Sequence, residues 1–294
     1  MRVAAARYRI GMPADFDAFA EHQRRLLTEA AAAGAEVAVL PEYLALELAA
    51  TFDERVRGDA LASFAAIQRY RGDWLALFSG LARDTGMTIV AGSFLLDPGD
   101  GRYRNRSDVF APGGTHDWQD KLQLTAFEQA TGVIAPGDHL KVFDLGALRA
   151  AVAICYDIEF PLPVRAQWSA GARLFLVPSC TDTAAGATRV RVGCLARALE
   201  NRSFVVQSVT AGDAPWTPVL DTNTGHAAVI APMDAGFPAD GVLAETTDTD
   251  VWAIADIDVA ALEASRSAAQ VANDRDWPAQ QQPALARAVV APLR

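Results

Sequence analysis

Short apolar runs alternate with longer amphipathic stretches along this chain of 294 residues. Residues 2–8 and 36–40 are apolar runs of strand length. Between them, from about 14 to 33, Phe16, Phe19, Leu26, Leu27 and Ala30 recur at helical spacing, and Gly34 follows as a stop. A second helix is expected over 74–85, stopped by Gly86. Residues 87–95 and 103–111 read as two strands of a hairpin, joined by Asp97-Pro98-Gly99-Asp100-Gly101 and ended by Pro112-Gly113-Gly114. The second half repeats the alternation. Strands are expected at 149–154, 173–177, 204–209, 227–231 and 251–257, and helices at 162–170 (stopped by Gly171) and 190–201. Helices alternating with short apolar strands indicate an α/β fold built in layers.

Composition narrows the class. Hydrophobic residues make up 51% and charged residues 21%, as in a soluble globular enzyme. No low-complexity segment or linker divides the chain. One domain over 1–270 is expected, with a Gln-, Ala- and Pro-rich tail over 271–294 that wraps outward or meets a partner subunit. Twenty-six Lys and Arg against 36 Asp and Glu leave a net charge of −10, which argues against nucleic acid and against an anionic membrane as partners. The three cysteines, at 155, 180 and 194, are an odd count without a disulfide framework, which fits a reducing cytoplasm. The first residues run straight into charge and read as a strand, not a signal peptide. No run of 18 apolar residues suggests a membrane span.

Candidate chemistry lies at the ends of apolar runs. Cys155 ends the run 150–154, where the ligands of open α/β sheets bind. Most free cysteines are small buried hydrophobes, and Cys180 and Cys194 read that way. Cys155 as a nucleophile needs activation, because an ordinary thiol with a pKa of about 8.5 is mostly protonated at neutral pH. Glu42 follows Pro41 at the end of the run 36–40, where partial desolvation would raise its pKa and suit it to act as a base. The segment 120–128 adds the ammonium of Lys121 and the carboxylate of Glu128. An acid, an ammonium and a thiol, each beside a buried strand, are the parts of a cysteine hydrolase that needs no histidine. His22, His116, His139 and His226 are scattered without ligand spacing, so no metal site is expected. Neither a Gly-x-Ser-x-Gly elbow nor a phosphate loop is present. Arg165, Arg189, Arg191 and Arg197 read as helix-surface or interface charges rather than as an anion site.

Taken in order, Pro41-Glu42, the Lys121-to-Glu128 segment and Cys155-Tyr156-Asp157-x-x-Phe160-Pro161 resemble the nitrilase or carbon–nitrogen hydrolase superfamily, in its amidase-like branch. Pro178-Ser179 and Arg197-Ala198-x-Glu200-Asn201 resemble it too. The likeness runs from about Arg2 to about Asp258. It implies a four-layer α-β-β-α sandwich and an amidase that converts a small carboxamide to acid and ammonia or amine through a thioester. It casts Cys155 as nucleophile and Glu42 as general base. Lys121 becomes the oxyanion donor, with the N–H of Tyr156 as a second, and Glu128 the group that orients Lys121 or the substrate. No metal or cofactor is implied. The expected partners are a small amide and further copies of the chain in a homodimer or larger assembly. A nitrilase or an N-carbamoyl hydrolase is the alternative, with an acyltransferase and a catalytically silent binding protein behind them. Tyr156-Asp157 after the cysteine favours the amidase and carbamoyl branches over nitrilases proper, which have Trp-Glu there. Many family members also carry Pro-Glu where this chain has Pro161-Leu162.

Overall fold

The first strand, β1 (Arg2–Arg9), belongs to two sheets at once. The computed structural model describes residues 1–291, so the last three positions of the expected tail, 292–294, lie outside the described residues. The other strands are β2 (Val37–Val39), β3 (Thr88–Val90), β4 (Phe94–Leu96), β5 (Arg104–Phe110), β6 (His116–Asp120), β7 (Phe143–Asp144), β8 (Arg149–Val152), β9 (Ala172–Ser179), β10 (Phe204–Asp213), β11 (Thr222–Asn223), β12 (Ala228–Ile230), β13 (Val242–Glu245) and β14 (Trp252–Asp256). The α-helices are α1 (Phe16–Ala32), α2 (Glu54–Arg57), α3 (Ala60–Ile67), α4 (Arg71–Thr85), α5 (Ala126–Thr131), α6 (Pro161–Ser169), α7 (Ala184–Asn201), α8 (Val259–Ser265) and α9 (Asn273–Asp276).

The N-terminal part of β1 pairs with β2 in parallel and with β14 antiparallel, whereas Arg7, Tyr8 and Arg9 pair in parallel with β10. One sheet runs outward through β2, β3, β5 and β4, and the other through β10, β9, β8 and β7. The alternation of side chains along β1 explains the layers. Val3 and Ala5 join a core with Val39, Val90, Val152 and Leu176 from the two facing sheets. Ala4, Ala6 and Tyr8 join a second core with Phe19 and Leu27 of α1 and Trp74 and Phe78 of α4. Helices α6 and α7 cover the outer face of the other sheet. The architecture is the four-layer α-β-β-α arrangement, with the paired sheets forming one curled sheet through β1.

Three departures from the sequence pattern matter. The strand expected over 87–95 is two short strands, β3 and β4, broken at Gly92, whose φ is +65°. A Cβ there would sit 2.1 Å from the Pro41 carbonyl oxygen and 3.0 Å from Leu44 Cβ. The chain turns at Gly92 because another backbone passes too close for any side chain. The helix expected at 190–201 begins at Ala184, where Thr183 caps it by accepting the Gly186 N–H at 3.1 Å. Residues 44–70, for which the pattern indicates no element, form a 3₁₀ segment (Leu44–Thr51) followed by α2 and α3. Leu44 to Ala50 are all buried. A segment buried on every side has no apolar face, so periodicity does not reveal it. In the tail, Arg165 Nη2 donates to the Asp274 carbonyl at 2.8 Å, and its guanidinium lies 4.9 Å from the Trp277 ring, so this part folds back on α6.

Gly92 packs against the peptide that immediately precedes Glu42. Gly92→Ala is therefore expected to destabilise the protein by at least about 2 kcal/mol, from left-handed strain plus the backbone clash. A urea titration that finds the midpoint unchanged at constant slope would remove this account of the turn.

Candidate active site

Three strand ends deliver the site. Glu42 lies two residues beyond Leu40, which closes β2 by donating its N–H to the Val90 carbonyl at 2.9 Å. The next residue, Tyr43, is left-handed at φ 61° and donates its N–H to Ser93 Oγ at 2.8 Å. Lys121 follows β6, and its N–H donates to the Asn105 carbonyl on β5 at 2.9 Å. Cys155 follows β8 and opens a 3₁₀ turn over Cys155–Glu159. Its φ of 49° costs a non-glycine residue about 1–3 kcal/mol unless the surroundings impose it. Asp157 imposes it. Its buried carboxylate accepts the N–H of Ile154 at 3.2 Å, of Leu122 at 3.1 Å and of Gln123 at 2.7 Å, tying the cysteine turn to the lysine loop.

Inside this frame the side chains meet. Lys121 Nζ donates to Glu42 Oε1 at 2.7 Å and pairs with Glu128 Oε2 at 2.8 Å, and the exposures of the three side chains are 2%, 1% and 0%. Glu128 also accepts from Tyr43 Oη at 2.6 Å and from the Thr125 N–H at 2.9 Å, the latter as part of the capping box that starts α5. Asn105 Nδ2 donates to Glu42 Oε1 at 2.8 Å and to Glu128 Oε1 at 3.0 Å. The Cys180 N–H donates to Glu42 Oε2 at 3.1 Å, and the Cys180 carbonyl accepts from Cys155 Sγ at 3.5 Å.

Burial sets the electrostatics. It raises the pKa of Glu42, with Lys121 pulling the other way and Glu128 adding to the rise. Burial works against the Lys121 charge, but Glu42 and then Glu128 hold it firmly protonated, with a pKa well above the ordinary lysine value. For Glu128 burial is again opposed by Lys121 and by its hydrogen bonds, and the balance leaves it below the usual carboxylate range. Burial, with Glu42 beside it, pushes the Cys155 thiol well up despite Lys121. The resting pair is a neutral thiol next to a carboxylate of raised proton affinity, which suits Glu42 to accept a proton, while burial makes the Cys155 thiol harder to ionise.

The site opens into a cavity of about 360 Å³, lined by Glu42, Lys121, Cys155 and Tyr156 and walled by Phe127 and Val219 among others. Of the residues expected from the sequence, Glu42, Lys121, Cys155 and Tyr156 reach the cavity, and Glu128 sits behind Lys121. Arg189 also lines it, opposite Glu159 at 3.7 Å. Arg165, Arg191 and Arg197 bind within the protein, to the Asp274 carbonyl, Glu245 and Glu200 respectively. Cys180, read as a buried hydrophobe, lines the cavity instead. Leu162 is 69% exposed at the start of α6 and does not line the cavity. Asn105, Tyr43 and the backbone of Cys180 escaped the sequence reading. Asp157 was visible inside the cysteine motif, but its clamp on the lysine loop was not. Among the described residues, no group of three or more His, Cys, Asp or Glu is arranged to hold a metal, and no helix is long and apolar enough to cross a membrane.

The carbon–nitrogen hydrolase family model matches residues 2–266. The chain belongs to the carbon–nitrogen hydrolase family. Among its relatives, a probable hydrolase of Bacillus subtilis, YhcX, is 31% identical over 94% of this chain, which spans 53% of that relative's length. The omega-amidase NIT2-B of Xenopus laevis is 25% identical, over 79% of this chain and 83% of its own. Among solved structures, Nit3 of Saccharomyces cerevisiae, a nitrilase superfamily member, superposes with a TM-score of 0.72 at 21% identity, covering 94% of this chain and 96% of its own. An amidase from Nesterenkonia sp. superposes with a TM-score of 0.68 at 22% identity, covering 94% and 96%. These likenesses extend the nitrilase superfamily fold to this chain.

The segment that carries Glu42 is anchored by a second buried acid. Glu47 accepts from Tyr8 Oη and, at 2.6 Å, from the Gly11 N–H, while Gln23 Nε2 donates to Tyr8 Oη at 2.7 Å. Burial raises the Glu47 pKa to about 7, against these two donors. The folded carboxyl thus holds its proton more tightly than the unfolded one. Its stabilising contribution is complete below about pH 4.5 and is lost as pH rises through about 7. Glu47→Gln abolishes that dependence. The stability difference between wild type and variant should move against the wild type by about 2–3 kcal/mol between pH 5 and pH 8. Urea titrations at both pH values measure it, and a difference that does not change with pH would show that Glu47 is ionised throughout.

Proposed function

We propose that this carbon–nitrogen hydrolase is a cysteine-dependent amidase that converts a small carboxamide to the acid and ammonia or an amine. The observation that carries the reading is the buried ammonium of Lys121, held between Glu42 and Glu128 in the cavity that Cys155 lines. Sγ of Cys155 attacks the amide carbonyl carbon while its proton passes to Glu42. Lys121 and the N–H of Tyr156 receive the negative charge that develops on the carbonyl oxygen. Collapse of the tetrahedral species breaks the carbon–nitrogen bond, and Glu42 returns the proton to the departing nitrogen. The thioester left on Cys155 is attacked by water, whose proton again goes to Glu42. The acid departs and the thiol recovers its proton. Glu128 transfers nothing: it accepts from Lys121 and Tyr43 and keeps the ammonium at its post. Relatives named as amidases, and a cavity of about 360 Å³, support a small amide as substrate.

Cys155→Ala is expected to keep the fold and to lose activity by at least about 1,000-fold, because nothing else in the cavity replaces the nucleophile. Intact-mass spectrometry after exposure to a panel of carboxamides should find acyl adducts on the wild type and none on the variant. Turnover by the pure variant within tenfold of wild type would remove Cys155 from the mechanism.

Amide against nitrile is the sharper comparison. A carbonyl develops its oxyanion where Lys121 and the Tyr156 N–H are expected to converge. A linear nitrile develops charge on a nitrogen placed elsewhere. Carboxamides should exceed the matching nitriles in kcat/KM by about tenfold or more, the order of magnitude at stake when an oxyanion donor is misplaced. Ammonia release from amide and nitrile pairs sharing one side chain measures this, and preference for the nitrile across several pairs would make the protein a nitrilase.

A further inference from the structure

Asn105 is buried on β5, 1% exposed, and touches every charged partner of Lys121. Its carbonyl oxygen accepts the Lys121 N–H at 2.9 Å, fixing the main chain of the lysine. Its amide nitrogen has two N–H bonds, and each goes to a different carboxylate: Glu42 Oε1 at 2.8 Å and Glu128 Oε1 at 3.0 Å. The remaining atom, Asn105 Oδ1, is buried without a hydrogen-bond partner. A buried acceptor left unpaired is unfavourable and uncommon. Turning the amide over would not relieve it, because the oxygen would then face two carboxylates. The chemistry of its neighbours fixes the orientation of this side chain.

Counting acceptor positions on Glu42 shows what the bridge does. Oε1 receives two donors, Lys121 Nζ at 2.7 Å and Asn105 Nδ2 at 2.8 Å, which fill it. Oε2 receives one, the Cys180 N–H at 3.1 Å, and keeps one position open. We propose that Asn105 is a positioning residue of this site: by filling Oε1 it leaves Oε2 of Glu42 as the atom that takes the Cys155 proton, and by donating to both glutamates it keeps them ionised side by side around Lys121. The amidase reading supplies the reaction in which this matters, and the proposal rests on it for the turnover measurement alone. Without the bridge, Glu42 Oε1 would have an open position and the two carboxylates would be separated by the lysine alone. The carboxylate could then rotate and share the thiol proton between two oxygens. The proton-accepting form of Glu42 would also require higher pH.

The test compares Asn105→Ala, Asn105→Asp and Asn105→Ser with wild type. Asn105→Asp keeps the shape and replaces both donors by acceptors. Asn105→Ser keeps one donor on a shorter side chain and adds no charge. Two readouts are taken per folded protein, with folding followed by circular dichroism and thermal melting. One is the pH profile of kcat/KM on a carboxamide. The other is the pH dependence of Cys155 alkylation by iodoacetamide, which needs no substrate and so reports on the thiol even if the protein hydrolyses no amide. The expected result is a fall in kcat/KM of roughly 10- to 100-fold for Asn105→Ala, carried by kcat with KM little changed. The acid limbs of both profiles should move to higher pH. Asn105→Asp should be worse than Asn105→Ala near neutral pH, and Asn105→Ser should lie between Asn105→Ala and wild type. A residue that only held the fold would lower the melting temperature and leave both limbs in place. Folded Asn105→Ser or Asn105→Asp with wild-type limbs and kcat/KM within about threefold of wild type would overturn the proposal, at the scale of the smallest general-base effects. Failure of wild type to turn over any amide, with the alkylation limb still shifted in the variants, would sink the amidase reading and leave the role of Asn105 standing.

Discussion

A lysine ammonium that is 2% exposed is the constraint around which the site is organised. Burying one unpaired charge costs several kcal/mol, and burying a single ion pair often returns no more than it costs. Lys121 is met by two carboxylates, so the cluster of three carries a net negative charge in a buried place. That excess is tolerable only with further donors. Tyr43 Oη and the Thr125 N–H serve Glu128, the Cys180 N–H serves Glu42, and Asn105 serves both. Each donor comes from a different element, so the cluster exists only once the whole domain has folded.

The same requirement explains why the backbone bends where it does. Tyr43 and Cys155 both adopt left-handed conformations, at φ 61° and 49°, directly after or at the residues that face the cavity. Ser93 and Asp157 hold them there, each by accepting backbone N–H groups. Ser93 is next to Gly92, whose missing side chain lets the Pro41 peptide pass. Asp157 lies two residues beyond the cysteine and reaches the loop that follows Lys121. The strain at the thiol and the position of the ammonium are therefore linked through a single carboxylate.

Four layers also bring the acid and the thiol together. Glu42 follows a strand of one sheet and Cys155 a strand of the other, and the two sheets share β1. Separate sheets could slide or rotate relative to one another. A strand common to both fixes their relation at the end where the residues project. Solved structures of the nitrilase superfamily, one of them named as an amidase, share the fold at identities of 21% and 22%. On this frame Phe127 of α5, Arg189 of α7 and the loop residue Val219 line the cavity.

What the sequence determined by itself is the set of local patterns and the candidate site residues. The alternation of apolar runs and amphipathic stretches gave α1, α4, the β4–β5 hairpin and the layered class, because periodicity records which face is buried. Glu42 and Cys155 were legible because each lies in a short motif at the end of an apolar run, and Lys121 and Glu128 because the segment 120–128 resembles a family motif. The break at Gly92 was not legible, since a glycine in an apolar stretch does not announce the backbone that crosses it. The stretch 44–50 was hidden because burial on all sides erases periodicity, and α2 and α3 because four- and eight-residue helices are too short to show one. Asn105 looked like an ordinary polar position on a strand, and Cys180 like a small hydrophobe. Their roles depend on residues 23 to 138 positions away, reached by one side-chain amide and one backbone N–H. Only the tertiary structure decides such contacts, because hydrogen bonds between distant segments leave no spacing or periodicity in the chain that makes them.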